Sequence, residues 1–187
     1  MKVVLASGSP RRRELLSRII PKFEIFTADV DETLPTDLPI EEGVRVLALR
    51  KGEEAVRHFD SESLIISSDT LVELDGIPLG KPTSESEAAA MLKSLSGRAH
   101  NVRTGIAVHY MGRVASATAT SSVYFRELTD AEIADYVATG EPMDKAGAYG
   151  IQGLGGKLVS HYDGDFDTIV GLSLALLKKL IKEVTEE

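Results

Sequence analysis

Residues 3–16 read VVLASGSPRRRELL, and the fold class follows from this stretch. Val3 to Ala6 is an apolar run without alternation, the pattern of a short buried strand. Ser7-Gly8-Ser9-Pro10 interrupts it. Ser9 offers a side-chain oxygen to cap a helix, and Pro10 suits the first helical position, whose N–H has no intrahelical partner. The residues that follow place Leu15, Leu16, Ile19 and Ile20 at helical spacing. A buried strand that passes through a tight loop into a helix is the opening unit of an α/β fold.

Working outward, Phe23 to Thr27 reads as a second strand running into the acidic stretch Asp29-Val30-Asp31-Glu32. Ile40 to Phe59 is helical by period, with Val44, Leu47, Ala48 and Ala55 on one face. Ser63 to Ser67 reads as a buried strand and Leu71 to Leu74 continues extended. Asp75-Gly76 then turns a hairpin into Ile77-Pro78-Leu79. Ser84 with Glu87 forms a capping box for a helix that Gly97 ends. Asn101 to Tyr110 and Val114 to Phe125 pair antiparallel around Met111-Gly112, and Thr129 with Glu132 opens a helix that stops near Gly140. Residues 142–156 hold five glycines and no regular pattern. Leu158 to Tyr162 is strand-like, and Leu172 to Val184 is a closing amphipathic helix. Strand–helix units interrupted by hairpins predict a mixed sheet flanked by helices. No repeat, low-complexity tract or clear linker divides the chain, so residues 1–187 read as a single domain.

Composition narrows the function classes. The 187 residues are 43% hydrophobic and 27% charged, enough for a packed core. No run approaches the roughly 18–20 apolar residues of a membrane-spanning helix, and the N-terminus lacks a signal-peptide layout, so the expected location is cytoplasmic, without a membrane partner. Cysteine is absent, which rules out disulfides and thiolate metal sites and leaves oxygen or histidine to hold any metal. The four histidines are dispersed, with no His-x-x-x-His spacing. A net charge of −8 argues against duplex nucleic acid as a partner, because that affinity comes from basic residues releasing counterions. A basic pocket in an acidic protein suits a small polyanion instead.

Several side chains point to such a ligand. Arg11, Arg12 and Arg13 stand in the first helical turn, where cations oppose the helix dipole, so removing Arg11 and Arg12 should leave folding intact or slightly improved. A phosphate chain would compensate them, accepting backbone N–H groups between Ser7 and Arg12, and this makes Ser9, Arg11 and Arg12 candidate substrate contacts. The alternative is that the arginines are solvated or paired with neighbours such as Glu14. Lys51 falls on the apolar face of its helix, where a lysine either snorkels to water or points at an anion. Asp69 follows Leu64-Ile65-Ile66 near the carboxyl end of a buried strand, where α/β folds build their sites, or else serves as a turn aspartate. Glu32 is either a cation ligand or an exposed carboxylate. Lys81, between Gly80 and Pro82, is either a phosphate contact or a solvated loop lysine. Gln152, among glycines, carries an amide that both donates to and accepts from a base edge, in a loop that otherwise only needs positive backbone angles. No Gly-x-Ser-x-Gly elbow, P-loop or well-placed dinucleotide fingerprint is present.

Together, LASGSPRRRELL at 5–16, SSDTLV at 67–72, GKP at 80–82 and GEPMDKAGAYGIQG at 140–153 resemble the Maf family of nucleotide pyrophosphatases, once named for inhibition of septum formation. The AGAYGIQG form is similar to the branch acting on dTTP and UTP. The resemblance implies an elongated α/β fold with two lobes around a central cleft, commonly homodimeric, using a divalent cation such as Mg or Mn. It implies that Asp69 is the proton acceptor and that Arg11, Thr70 and Gln152 shape substrate choice, and it sets Glu32, Lys51 and Lys81 in the cleft. On this reading Glu32 and Asp69 position the metal while Arg11, Arg12, Lys51 and Lys81 neutralise a triphosphate. Asp69 activates the water that attacks the α-phosphorus. Two departures stand out: Gly171-Leu172-Ser173 where relatives commonly have Gly-Leu-Pro, and Gly52 where alanine is usual. The competing reading is a nucleotide-responsive regulator of septum formation that acts by binding a partner.

Overall fold

The apolar run after Lys2 becomes strand β1 (Val3–Ala6), with all four residues buried. The computed structural model describes residues 1–186. Burial on both faces is possible because β1 lies between two parallel neighbours: β2 (Glu24–Ile25) pairs through Val4 and Leu5, and β3 (Leu64–Leu74) pairs Val4 with Ile65. Parallel pairing demands a long return of the chain. Helix α1 (Pro10–Ser17) supplies the first crossover and α2 (Ile40–Val56) the second. The strand expected over Phe23 to Thr27 shrinks to two residues, with Phe26 adding one backbone bond to Leu5 at 2.9 Å.

Asp75 and Gly76 both take positive φ, 52° and 78°, as a two-residue hairpin requires, and β3 turns back into antiparallel β4 (Ile77–Leu79). Helix α3 (Glu85–Leu95) follows. Ser84 caps it by accepting from the Glu87 N–H at 3.1 Å, but Glu87 reaches back to the N–H of Thr83 at 2.6 Å, one residue earlier than a capping box would have it. Strands β5 (Ala99–Tyr110) and β6 (Arg113–Phe125) are joined by Met111-Gly112, and α4 (Asp130–Ala138) carries a complete capping box between Thr129 and Glu132. Three short 3₁₀ turns fill 141–158. They lead into β7 (Val159–Asp163), a short helix α5 (Phe166–Val170) that the sequence pattern does not reveal, and α6 (Leu174–Thr185). Ser173, the departure from Gly-Leu-Pro, caps α6 by accepting from the Leu176 N–H at 3.3 Å.

The seven strands form one mixed sheet in the order β2-β1-β3-β5-β6-β7, with β4 on β3. The chain divides into two compact units, in keeping with the expectation of two lobes. The first comprises residues 1–70, 104–119 and 171–187, the second 71–103 and 120–170. In the first, Val4, Ala6, Ala55 and Ile65 form a buried cluster, with Phe26 and Phe59 packed on it. In the second, Leu92, Leu95, Val102, Val123, Phe125 and Tyr149 are among the buried core residues. No described helix is long and apolar enough to cross a membrane.

Candidate active site

The carboxyl end of β1 lies against the middle of β3, Ala6 opposite Ser67, so the loop after β1 leaves the sheet beside the residues that follow Ser67 in β3. Asp69 is therefore set by strand geometry rather than by a flexible turn. Opposite it, α2 packs on the sheet with Gly43, Val44, Leu47, Ala48, Lys51, Gly52 and Ala55 buried, and Ser67 donates to the Ala48 carbonyl at 2.7 Å. Lys51 shares that buried face, as its spacing predicts. Its ammonium meets two carboxylates. It donates to Asp69 Oδ1 and pairs with Glu32 Oε1 at 2.7 Å.

Exposure separates the three members. The Lys51 and Asp69 side chains are 11% and 16% exposed, whereas Glu32 is 60% exposed and faces solvent. The Glu32 segment is itself pinned to α2, since Arg50 donates to the carbonyls of Asp31 and Thr33 at 3.1 and 3.0 Å. Gly52, the second departure, has a local cause. A Cβ at this position would collide with the imidazole of buried His109 and lie 2.8 Å from Ser67 Oγ, so glycine is what lets α2 settle over β5.

The three arginines part company in the structure. Arg12 is gripped by the protein: its Nε donates to the Gly171 carbonyl at 2.9 Å, Nη1 to Ser7 Oγ at 3.2 Å and Nη2 to Thr70 Oγ1 at 3.0 Å. Burial lowers its pKa, with Asp69 opposing, Arg11 adding to the lowering and Glu32 opposing. Arg12 is thus part of the framework, which argues against the expectation that its removal would leave folding intact. The Arg11 side chain, by contrast, makes no hydrogen bond or ion pair among the described residues. Ser9 caps α1, accepting from the Arg12 N–H at 3.5 Å, and its own N–H donates to Ser7 Oγ at 3.2 Å. Thr70 bonds Thr104 at 2.9 Å, and Ser68 donates to the same Gly171 carbonyl at 2.9 Å. Ser7, Ser68, Thr104 and Gly171 are the residues that the sequence pattern misses. Ser7 and Ser68 lie within the quoted motifs, but nothing local marks Thr104 or a carbonyl 159 positions from Arg12.

The second unit holds Lys81 and Gln152. Lys81 is exposed beside buried Pro82, and Gln152 is exposed on the glycine-dense loop. Gly147 donates to the Gly80 carbonyl at 3.1 Å, so the GKP loop and the AGAYG segment are tied by backbone.

No group of three or more His, Asp or Glu able to hold a metal occurs among the described residues. The donor chemistry nevertheless fits a hard divalent cation of the magnesium kind, which commonly takes one or two carboxylates and completes its shell with water and substrate phosphate oxygens. Asp69 and Glu32 supply that pair, brought within reach of one cation, the Lys51 ammonium.

An aspartate inside a central strand beside the end of β1, a lysine bridging it to a second carboxylate, and an arginine on a capped helix N-terminus are the features of an α/β protein suited to small phosphorylated ligands. The family described as Maf-like protein matches residues 2–184, and the chain belongs to it. It is 48% identical to a dTTP/UTP pyrophosphatase of Moorella thermoacetica over 182 residues, covering 96% of this chain and 93% of the relative. It is 46% identical to a dTTP/UTP pyrophosphatase of Desulfitobacterium hafniense, covering 95% and 82%. Among solved structures, the Ham1 protein of Staphylococcus aureus is similar with a TM-score of 0.49 at 20% identity, covering 67% of this chain and 72% of that one.

Proposed function

We propose that this chain is an enzyme that hydrolyses nucleoside triphosphates to the monophosphate and pyrophosphate, with dTTP and UTP as its substrates. The observation that carries the reading is the Lys51 ammonium bridging Glu32 and Asp69 of β3, in a chain whose relatives bear that activity in their names. Two carboxylates and fixed cations are what attack on a phosphoric anhydride requires.

The roles follow from chemistry. Asp69 accepts a proton from the attacking water as the new oxygen–phosphorus bond forms at the α-phosphorus. The bond from that phosphorus to the bridging oxygen breaks, and pyrophosphate leaves with the electron pair. Lys51 engages only Oδ1 of Asp69, which orients the carboxylate and leaves Oδ2 for the proton. Arg11 and Lys81 contact phosphate, Ser9 and the adjoining N–H groups of α1 accommodate a phosphate oxygen, and Arg12 holds Thr70, which shapes substrate choice with Gln152. Charge on the phosphate oxygens grows as the anhydride breaks, so these groups stabilise the transition state more than the bound substrate. A divalent cation, Mg or Mn, would be held by Asp69 and Glu32 with substrate oxygens and would neutralise the triphosphate. Residues 1–187 act as one functional domain, and the enzyme is a cytoplasmic homodimer with no nucleic-acid partner. A regulator acting by partner binding alone finds no support in relatives named for catalysis.

The test is a nucleotide panel with magnesium or manganese, reading pyrophosphate and monophosphate. Stoichiometric release from UTP and dTTP, well above that from CTP and the purine triphosphates, is expected. No pyrophosphate with any nucleotide and either metal would refute the reading.

A further inference from the structure

The loop that carries Gln152 is organised by one carboxylate. Glu141 opens the 3₁₀ turn Glu141–Asp144, and its side chain reaches under the loop. Oε2 accepts the N–H of Leu154 at 3.0 Å, and Oε1 accepts the N–H of Gly155 at 3.0 Å together with the Tyr136 hydroxyl at 2.8 Å. The Tyr136 oxygen in turn accepts the N–H of Gly150 at 3.2 Å. Donors on both sides of Gln152 therefore converge on a single Glu141–Tyr136 unit. The fit is close enough to exclude side chains: a Cβ on Gly153 would lie 2.6 Å from Glu141 Oε2. Burial alone would raise the Glu141 pKa, but the N–H groups of Gly155 and Leu154, the Tyr136 hydroxyl and Lys145 together hold it below its ordinary value, the direction expected of a carboxylate that serves as an acceptor.

A glutamine amide on an exposed turn reads a base only if its backbone is fixed. The amide can meet the O4 and N3–H edge of uracil or thymine, or turn over to meet the N4–H and N3 edge of cytosine. Discrimination must come from where the loop places the amide. We propose that Glu141 is a positioning residue for base selection: by receiving the amides of Leu154 and Gly155 and the Tyr136 hydroxyl, it fixes the turn from which Gln152 contacts the pyrimidine. This rests on the pyrophosphatase reading above.

The test compares kcat and KM for UTP and CTP in the wild type, Glu141→Ala, Gln152→Ala and the double variant. Glu141→Ala is expected to raise the KM for UTP and to cut the UTP-over-CTP preference by about tenfold, with kcat for UTP changed less than about threefold. In the Gln152→Ala background, the same substitution should cost no further preference, because the two act through one contact. Glu141→Gln keeps the size and the Tyr136 contact but turns an NH₂ toward one loop amide. It should show the same split at about threefold, and it carries the test if Glu141→Ala does not fold. An unchanged preference in the Glu141 variants, or a full additional loss in the double variant, overturns the proposal and leaves the enzymatic reading standing. An inactive wild type overturns both.

Discussion

The Asp69 cluster and the Gln152 loop solve the problem of holding a functional side chain in opposite ways. Around Asp69 the work is done by side chains on regular elements: a strand fixes the aspartate, a helix fixes Lys51, and charge meets charge. Around Gln152 it is done by backbone. Successive N–H groups are gathered by Glu141 and Tyr136, and glycines are needed because the carboxylate approaches the chain itself. The first arrangement suits chemistry, where a charge must be held at a fixed position, about 3 Å from the reacting atoms. The second suits selection, where one amide must be presented at a fixed height and angle.

The comparison breaks most visibly at Asp69. Asp69→Asn keeps size and hydrogen bonding but removes the proton acceptor, so turnover should fall by about 10²–10⁴-fold. UTP should still raise the melting temperature, because the phosphate contacts remain. Near-normal pyrophosphate release would reduce Asp69 to a structural residue, with Glu32 the next base to examine.

Acid should probe the second region. His100 is buried, its Nε2 meets the Tyr149 hydroxyl at 2.7 Å, and its Nδ1 has no partner among the described residues. Burial pushes its pKa down from 6.5 to about 4. The unfolded chain therefore binds a proton that the folded chain refuses between these values. Stability is full above about pH 6.5, falls as pH drops through the window and levels off near pH 4, a loss of about 3 kcal/mol. Denaturant melts from pH 7 to 4 should show this slope, and a His100→Gln variant should flatten it. An identical slope in that variant would place the titration elsewhere.

The smaller effects separate two adjacent arginines. Arg12→Ala removes contacts to Gly171, Ser7 and Thr70 and should destabilise the protein by about 1.5–3 kcal/mol, read by chemical denaturation. Arg11→Ala should leave stability unchanged or raise it by about 0.3–1 kcal/mol, since a cation leaves a helix N-terminus, while weakening triphosphate binding. Equal melting behaviour in the two variants would erase the distinction between framework and ligand contact.

The same contrast explains what could be read in advance. Residues 3–16, the turn at Asp75-Gly76 and the Thr129–Glu132 cap are local patterns, and each took the form its pattern predicts. The buried position of Lys51 follows from helix period, whereas Asp69, expected near the carboxyl end of a strand, lies inside the eleven-residue β3 because the strand continues through it. The boundaries between the two units were not legible, since three of the four fall inside β3, β5 and β6, where the sequence stays continuously strand-like and offers no linker. Helix α5 is one turn long, too short for a period to show. The Arg12 grip depends on a carbonyl far along the chain, and the Glu141 anchor on backbone N–H groups that every residue type except proline carries. The need for glycine at 52 is equally non-local, since it comes from the His109 ring packed against it.

Hydrolysis of UTP in ¹⁸O-labelled water tests the central claim most directly. Attack at the α-phosphorus puts the label in the UMP and leaves pyrophosphate unlabelled, which is the result expected of the Asp69 cluster acting as described. Label in pyrophosphate, or release of UDP and inorganic phosphate, would contradict it.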